Sequence, residues 1–438
     1  MTGGAAIPRF PAKDGSADCT AGFLRDPLTY FVAAYEQLGP VFRCRLFGRD
    51  FVALAGVEAN EFIWQHAEVL DYAQSNRGWR EQFDGNYLNQ LEGLAYNRKR
   101  ARMNAGFKPS MIMSHTADMS RAFSAVMDGV VGTVADLRPL CVKLVINMTA
   151  RALLQAKLPP GMDTIMAVAN KEALRANTLG AKRYLVYLNP RRNWRRWRIF
   201  GYLRQILAER RDTFLDRDDV LSLILKSHPP EAEPLTETEL VYDLTQLFMA
   251  GSSTTSTLVL WTLLFLAHHP EWRSELEEEL KAWDPLGFTS MKPWPKLRAT
   301  LLEAERLAPP GPFIPRIAKT DFSFAGFDVD RGSRLLHLQT LTHFLPEVYE
   351  DPLAFRPSRF LGEAGGPERG AHGTYGGGTH SCLGMPLARV QSPLMVANFM
   401  TQYRLEFDPL PPLRSMLDIV AVPVPGKIPV SISRRPPG

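Results

Sequence analysis

The chain has 438 residues, 45% of them hydrophobic and 22% charged, with a formal net charge of +5. That length supports a large buried core and allows two or three domains, and the composition excludes a disordered chain. The charge excess is too mild to point to nucleic acid. No run of 18 apolar residues occurs, and the first 20 residues, MTGGAAIPRFPAKDGSADCT, lack the apolar segment of a signal peptide. A cytoplasmic protein without a transmembrane anchor is expected.

In chain order, residues 1–20 read as extended or disordered. Val41–Phe47 and Phe51–Leu54 flank Gly48-Arg49-Asp50 and predict a β-hairpin. From about 57 to 290 the apolar residues recur at helical spacing. Within this region Asn189-Pro190-Arg191-Arg192-Asn193-Trp194-Arg195-Arg196-Trp197-Arg198 is the densest basic stretch. It reads as a basic helix start whose tryptophans pack inward over a pocket, against the alternatives of a membrane surface or nucleic acid. An acidic or phosphorylated substrate entering past these arginines is a further reading. Thr245–Leu266 predicts a long apolar helix carrying Ala250-Gly251-Ser252-Ser253-Thr254-Thr255, small residues that taken alone mean close packing. After Pro309 strands return at Phe322–Val329 and Ile428–Ile432, while 308–315 and 361–378 read as loops. The fold expected is mostly α with a small β-rich region, in a single domain spanning residues 1–438.

The four cysteines, Cys19, Cys44, Cys141 and Cys382, are scattered singly, which excludes zinc and iron–sulfur clusters of closely spaced cysteines and leaves reduced thiols as the default. The first three read as small buried hydrophobes. Cys382 has a different setting. Gly376, Gly377 and Gly378 allow close backbone approach, and a helical stretch from Leu383 to Tyr403 follows, so the sulfur sits where a loop enters a helix and an anion is stabilised. A thiolate there could be a nucleophile, given a base in reach, or the axial ligand of a haem iron.

Tyr375-x-x-Gly378-x-His380-x-Cys382-x-Gly384 resembles the haem-binding signature of the cytochrome P450 family, and further motifs follow in family order. Glu303-Ala304-Glu305-Arg306 resembles the family's E-x-x-R pair, and Phe355-Arg356-Pro357-Ser358-Arg359-Phe360 its later partner. The resemblance covers nearly the whole chain and implies the cytochrome P450 fold. It implies haem b (iron protoporphyrin IX) with Cys382 as metal ligand, a structural Glu303–Arg306–Arg359 network, and Tyr375, Gly376 and Gly384 shaping the cysteine loop. His380, Arg316 and Arg100 are implied as partners of the haem propionates. Tyr96 stands where the family has histidine or tryptophan and retains one hydrogen-bond donor. Under the same resemblance Gly251 leaves room for dioxygen, Thr254 donates to it and with Ser253 assists protonation, and Ala250 is the fourth catalytic candidate.

The sequence departs from the family at Ser253, where a carboxylate usually precedes the threonine, and at Tyr375 and Gln391, which stand for phenylalanine and glutamate. Pro393 lies inside the predicted helix. Transfer of the family's pocket segments names Trp79, Phe83, Leu247, Phe248, Phe313, Ile314, Ile419 and Val420, all apolar, so a lipophilic substrate is expected. The chain carries neither a dinucleotide fingerprint nor an iron–sulfur cysteine cluster, so electrons are expected from a separate ferredoxin or flavodoxin-type donor with its reductase. Arg98, Lys99 and Arg102 read as a solvated helix face that, with Arg389, would meet such an acidic carrier. The function implied is a haem-thiolate monooxygenase inserting one oxygen atom from dioxygen into a lipophilic small molecule of secondary metabolism. Because of Ser253, oxidative coupling, desaturation, rearrangement or peroxide-driven oxidation is the alternative, and a haem protein that only binds or senses a ligand is a third reading.

Overall fold

The computed structural model describes residues 6–11, 18–74, 77–178, 180–227, 235–362, 366–411, 413 and 427–436. The chain forms two compact units. The first comprises Met1–Asn76, Leu302–Cys382 and Pro412–Pro425, and the second Arg77–Leu301, Leu383–Pro411 and Gly426–Gly438.

The first unit is built on a five-stranded sheet. Val41–Leu46 and Arg49–Ala55 form the expected hairpin around Phe47 and Gly48, both at positive φ. Arg49–Ala55 pairs in parallel with Arg334–Leu338, in the register Val52 to Leu335. Arg334–Leu338 pairs antiparallel with Ile314–Ala318, which in turn pairs with Leu70–Asp71. Residues 314 and 315, read as loop, therefore begin a strand: ladder pairing with a buried neighbour outweighs the turn character of Pro315. The segment Phe322–Val329 closes on itself as a two-stranded hairpin. Helix Pro27–Leu38 starts at Asp26, whose carboxylate accepts from the Thr29 amide at 3.0 Å, and places Phe31 and Ala34 in the core beside Cys19, Cys44 and Leu338.

The second unit is helical and, among the described residues, carries one three-stranded sheet ordered Val134–Asp136, Pro429–Arg434, Tyr403–Phe407. Its centre is the 32-residue helix Glu237–His268. Thr236 and Glu239 form a reciprocal capping box at its start, and most of its side chains from Val241 to Leu266 are buried. Among the described residues this is the one helix long and apolar enough to cross a membrane, with 61% of its most apolar window buried inside the protein. Interspersed Thr and Ser residues, several of which bond back to the helix carbonyls, leave it without a continuous run of 18 apolar side chains. The helix Met385–Gln402 begins at Gly384 and runs through Pro393, for which the structure offers no functional account.

Candidate functional site

In the first unit the cysteine loop is fixed by its glycines and by Trp64. Gly376 and Gly378 have φ of +62° and +61°, and a Cβ on Gly378 would meet the Trp64 carbonyl oxygen at 2.0 Å. A Cβ on Gly377 would meet the Trp64 ring at 2.3 Å, so this close approach admits only glycine at both positions. The Cys382 amide donates to the Tyr375 carbonyl at 2.9 Å, and a short turn over Gly378–His380 leads into the cysteine. Cys19, Cys44 and Cys141 are buried, whereas Cys382 is exposed. Burial pushes the Cys141 thiol up and the Cys44 thiol up to about 12, leaving both protonated and unreactive at neutral pH.

Two of the cations named from sequence are brought together here. Arg316 lies 4.1 Å over the ring of Tyr72, and the imidazole of His380 stacks on the same ring at 3.5 Å with 12° between planes. Sequence reasoning missed Tyr72, because no motif marks it; its two neighbours come from segments more than 240 residues away. No carboxylate among the described residues pairs with Arg316, so its charge awaits an anion. Behind the loop, Arg306 grips the Glu303 carboxylate with two bonds of 2.8 Å and donates to the carbonyls of His343, Pro352 and Ala354. Arg359 reaches Glu303 at 3.1 Å, and Glu303 and Arg306 are fully buried. Each charge is paired and hydrogen-bonded, as burial requires. Tyr375 donates to the Glu305 carboxylate at 2.7 Å, which gives the extra hydroxyl at this position a physical reason.

In the second unit the central helix, beyond its first turn, exposes one stretch. Ala250 and Thr254 are exposed and Gly251 and Ser253 half-buried, in a helix that is otherwise largely buried. The Thr254 hydroxyl donates to the Ala250 carbonyl at 2.8 Å, and the Ser253 carbonyl accepts from Ser256 and Thr257. Tyr96 is buried with Leu88, Leu91, Met103 and Leu383, while Arg100 on the helix Gly93–Gly106 is half-buried. Gln391 donates to the Thr149 hydroxyl at 3.0 Å, a neutral pair suited to an amide where a carboxylate would be stranded. Beside the central helix lies a cavity of about 620 Å³, open in part to solvent and lined by Phe83, Ile146, Met166, Phe200 and Phe248 together with Gln82, Arg192, Arg196 and Ser252.

Of the substrate candidates, Phe83 and Phe248 line this cavity; Trp79 stacks on Tyr87 at 5.2 Å behind Phe83, and Leu247 is half-buried beside it in sequence. Phe313 instead packs against Phe23 and Phe31 in the sheet core, a correction that follows from the aromatic cluster filling that space. Ile314 is half-buried in its strand, and Ile419 and Val420 lie outside the described residues. The tryptophans of the basic helix are also corrected: Trp194 and Trp197 are 49% and 66% exposed. The inward face of Pro190–Arg210 is taken by Arg192, Arg196 and Ile199. Likewise Lys99 is no part of a solvated face. Its side chain is 4% exposed, and its ammonium pairs with Asp243 at 2.6 Å and bonds the Asn86 side chain at 2.9 Å, while Arg102 reaches Asp243 at 3.0 Å. A buried carboxylate on the central helix draws both cations inward, and Arg98 is the exposed cation of that helix face.

A single exposed thiol in a glycine loop, with unneutralised Arg316 nearby, is a donor set that fits a haem iron and its propionates, and it defines a haem-thiolate protein. The Cytochrome P450 family model matches residues 22–430, and the chain belongs to that family. It is thereby an oxidoreductase of the monooxygenase kind that works with haem and an external electron donor. It is 29% identical over 412 residues to cyclooctat-9-en-7-ol 5-monooxygenase of Streptomyces melanosporofaciens, covering 88% of this chain and 86% of that one. Pentalenene oxygenase of Streptomyces avermitilis is 24% identical, with 81% of each chain covered. The fold matches that of a retinoic acid-bound cyanobacterial P450 with a TM-score of 0.82 at 23% identity, over 98% of this chain and 100% of the other.

Proposed function

We propose that residues 1–438 form one cytoplasmic haem b domain that inserts one atom of dioxygen into a lipophilic cyclic small molecule of the terpenoid kind. The exposure of Cys382 in its glycine loop, against the burial of every other cysteine, carries this reading. The names of the Streptomyces relatives, with their cyclic substrates, support the substrate class. Haem, when bound, supplies an iron centre for reducing and cleaving dioxygen.

The protein's own groups do the rest. Cys382 would hold the iron through its thiolate, with Tyr375, Gly376 and Gly384 setting the loop. Arg316 and His380, both held against Tyr72, would take propionate charge, joined by Arg100 and Tyr96. Gly251 leaves open space next to Ala250, and Thr254, whose hydroxyl proton is committed to the Ala250 carbonyl, offers its oxygen lone pairs to an incoming donor. Ser253 cannot gather protons as a carboxylate does, so water or substrate hydroxyls must deliver them. Electrons come from a ferredoxin or flavodoxin-type donor with its reductase.

Turnover under isotopically labelled dioxygen tests the reading: one labelled oxygen in the product is expected, and Cys382→Ala abolishes both turnover and the thiolate-shifted Soret band. A second reading rests on Ser253 itself. If product forms without label, coupling or desaturation replaces insertion, and Ser253→Asp would then be expected to raise the labelled fraction.

A further inference from the structure

Two arginines of the cavity stand out by what they lack. Arg192 is 9% exposed, and its guanidinium has Gln82 Oε1 at 3.2 Å and Asn193 Oδ1 at 3.4 Å. Arg196 donates to the Gln82 carbonyl at 2.7 Å and lies 4.6 Å over the ring of Phe200. Neither is paired with a carboxylate among the described residues. Their neighbours are: Arg195 holds Glu172 in a two-pronged pair, and Arg183 holds Glu81 at 2.5 Å. Asp84 accepts from the Tyr242 hydroxyl at 2.6 Å, and Glu172, already held by Arg195, acts on Arg192 only through space.

The local arrangement opposes these charges. Arg192 and Arg196 are four residues apart on one face of Pro190–Arg210, a spacing at which like charges repel. Arg192 sits in the first turn, at the positive end of the helix dipole, and that turn contains no acidic residue. Burying a cation beside another without a counter-charge costs free energy that folding does not recover, and such an arrangement is expected where a ligand brings the anion. Five N–H donors on each guanidinium far exceed the acceptors in reach.

We propose that this cavity takes a substrate with a carboxylate at one end of an apolar body, the carboxylate on Arg192 and Arg196 and the body along Phe83, Ile146, Met166 and Phe248. The proposal rests on the monooxygenase reading above and narrows its substrate class. A planar carboxylate matches the guanidinium fork, and a monoanion is cheaper to bring into an apolar cavity than a phosphate.

Calorimetric titration of the full haem-loaded protein with dodecanoic acid and with adamantane carboxylic acid, each against its alcohol, tests it at about pH 8, where the acids are ionised. At least one acid is expected to bind about tenfold or more tighter than its alcohol, the scale of a charge-assisted pair. The preference should shrink towards unity in Arg192→Gln and Arg196→Gln, return in part in the lysine variants, and persist in Arg191→Gln on the exposed side. Equal affinities for acid and alcohol, absence of binding by either acid, or a preference that survives both glutamine changes would overturn the proposal. The wild-type comparison needs no substitution, so a variant that fails to fold leaves the result readable. The Soret spectrum of Cys382→Ala reports separately on the monooxygenase reading, whatever the acids do.

Discussion

His337 is fully buried in its strand, and its Nε2–H donates to Asn60 Oδ1 at 2.7 Å. Asn60 spends its amide on the carbonyls of Gln339 and Gly370, which ties the strand to the segment leading into the cysteine loop. Burial, with the Arg316 charge second, pushes the imidazole down to about 3. His343, whose Nδ1 bonds the Arg306 carbonyl, is likewise held well below its ordinary value by burial. Both stay neutral in the folded protein while the unfolded chain takes up protons below about pH 6.5, so stability is complete above that pH and falls as pH drops from there towards 3. Each contributes a slope of about 1.4 kcal/mol per pH unit. His337→Gln, which keeps a donor for Asn60, should therefore flatten the acid limb by about one proton. Urea unfolding at a series of pH values reads this directly, and an unchanged limb would contradict it.

Buried charge adds to apolar packing in holding two of the helices together. The helix Gly93–Gly106 reaches the central helix through Lys99 and Arg102, which converge on Asp243. Burial lowers the Lys99 ammonium below its usual value even with Asp243 opposing the shift. Replacing the carboxylate by asparagine strands two buried cations, and a loss of about 3–5 kcal/mol is expected. Asp243→Asn should thus unfold at much lower denaturant concentration, while Arg98→Gln on the exposed side should stay within about 0.5 kcal/mol of the wild type. Helix Pro190–Arg210 shows the same preference for placement over type: capped by Asn189 with Pro190 at its first position, it turns Arg192 and Arg196 to the cavity and its tryptophans to solvent.

For the whole molecule, a cofactor that binds only the folded chain stabilises it by mass action. Haem-loaded protein should melt several degrees above the haem-free form, and the gap should narrow in Gly378→Ala, where the added Cβ collides with the Trp64 carbonyl and carries Cys382 out of place. Differential scanning calorimetry of the two proteins with and without haem checks both statements. The sequence by itself determined the mostly helical class, the hairpin at 41–55, the central helix and the position of Cys382, because local periodicity, turn residues and a short contiguous motif carry those features. The Glu303–Arg306 pair is legible for the same reason, being one helical turn apart. Tyr72 between Arg316 and His380, Asp243 beneath Lys99, and the inward arginines of the basic helix were decided only by tertiary structure. Each depends on which face of an element meets a partner distant in the chain, and a row of alternating arginines and tryptophans looks alike whichever of them is buried.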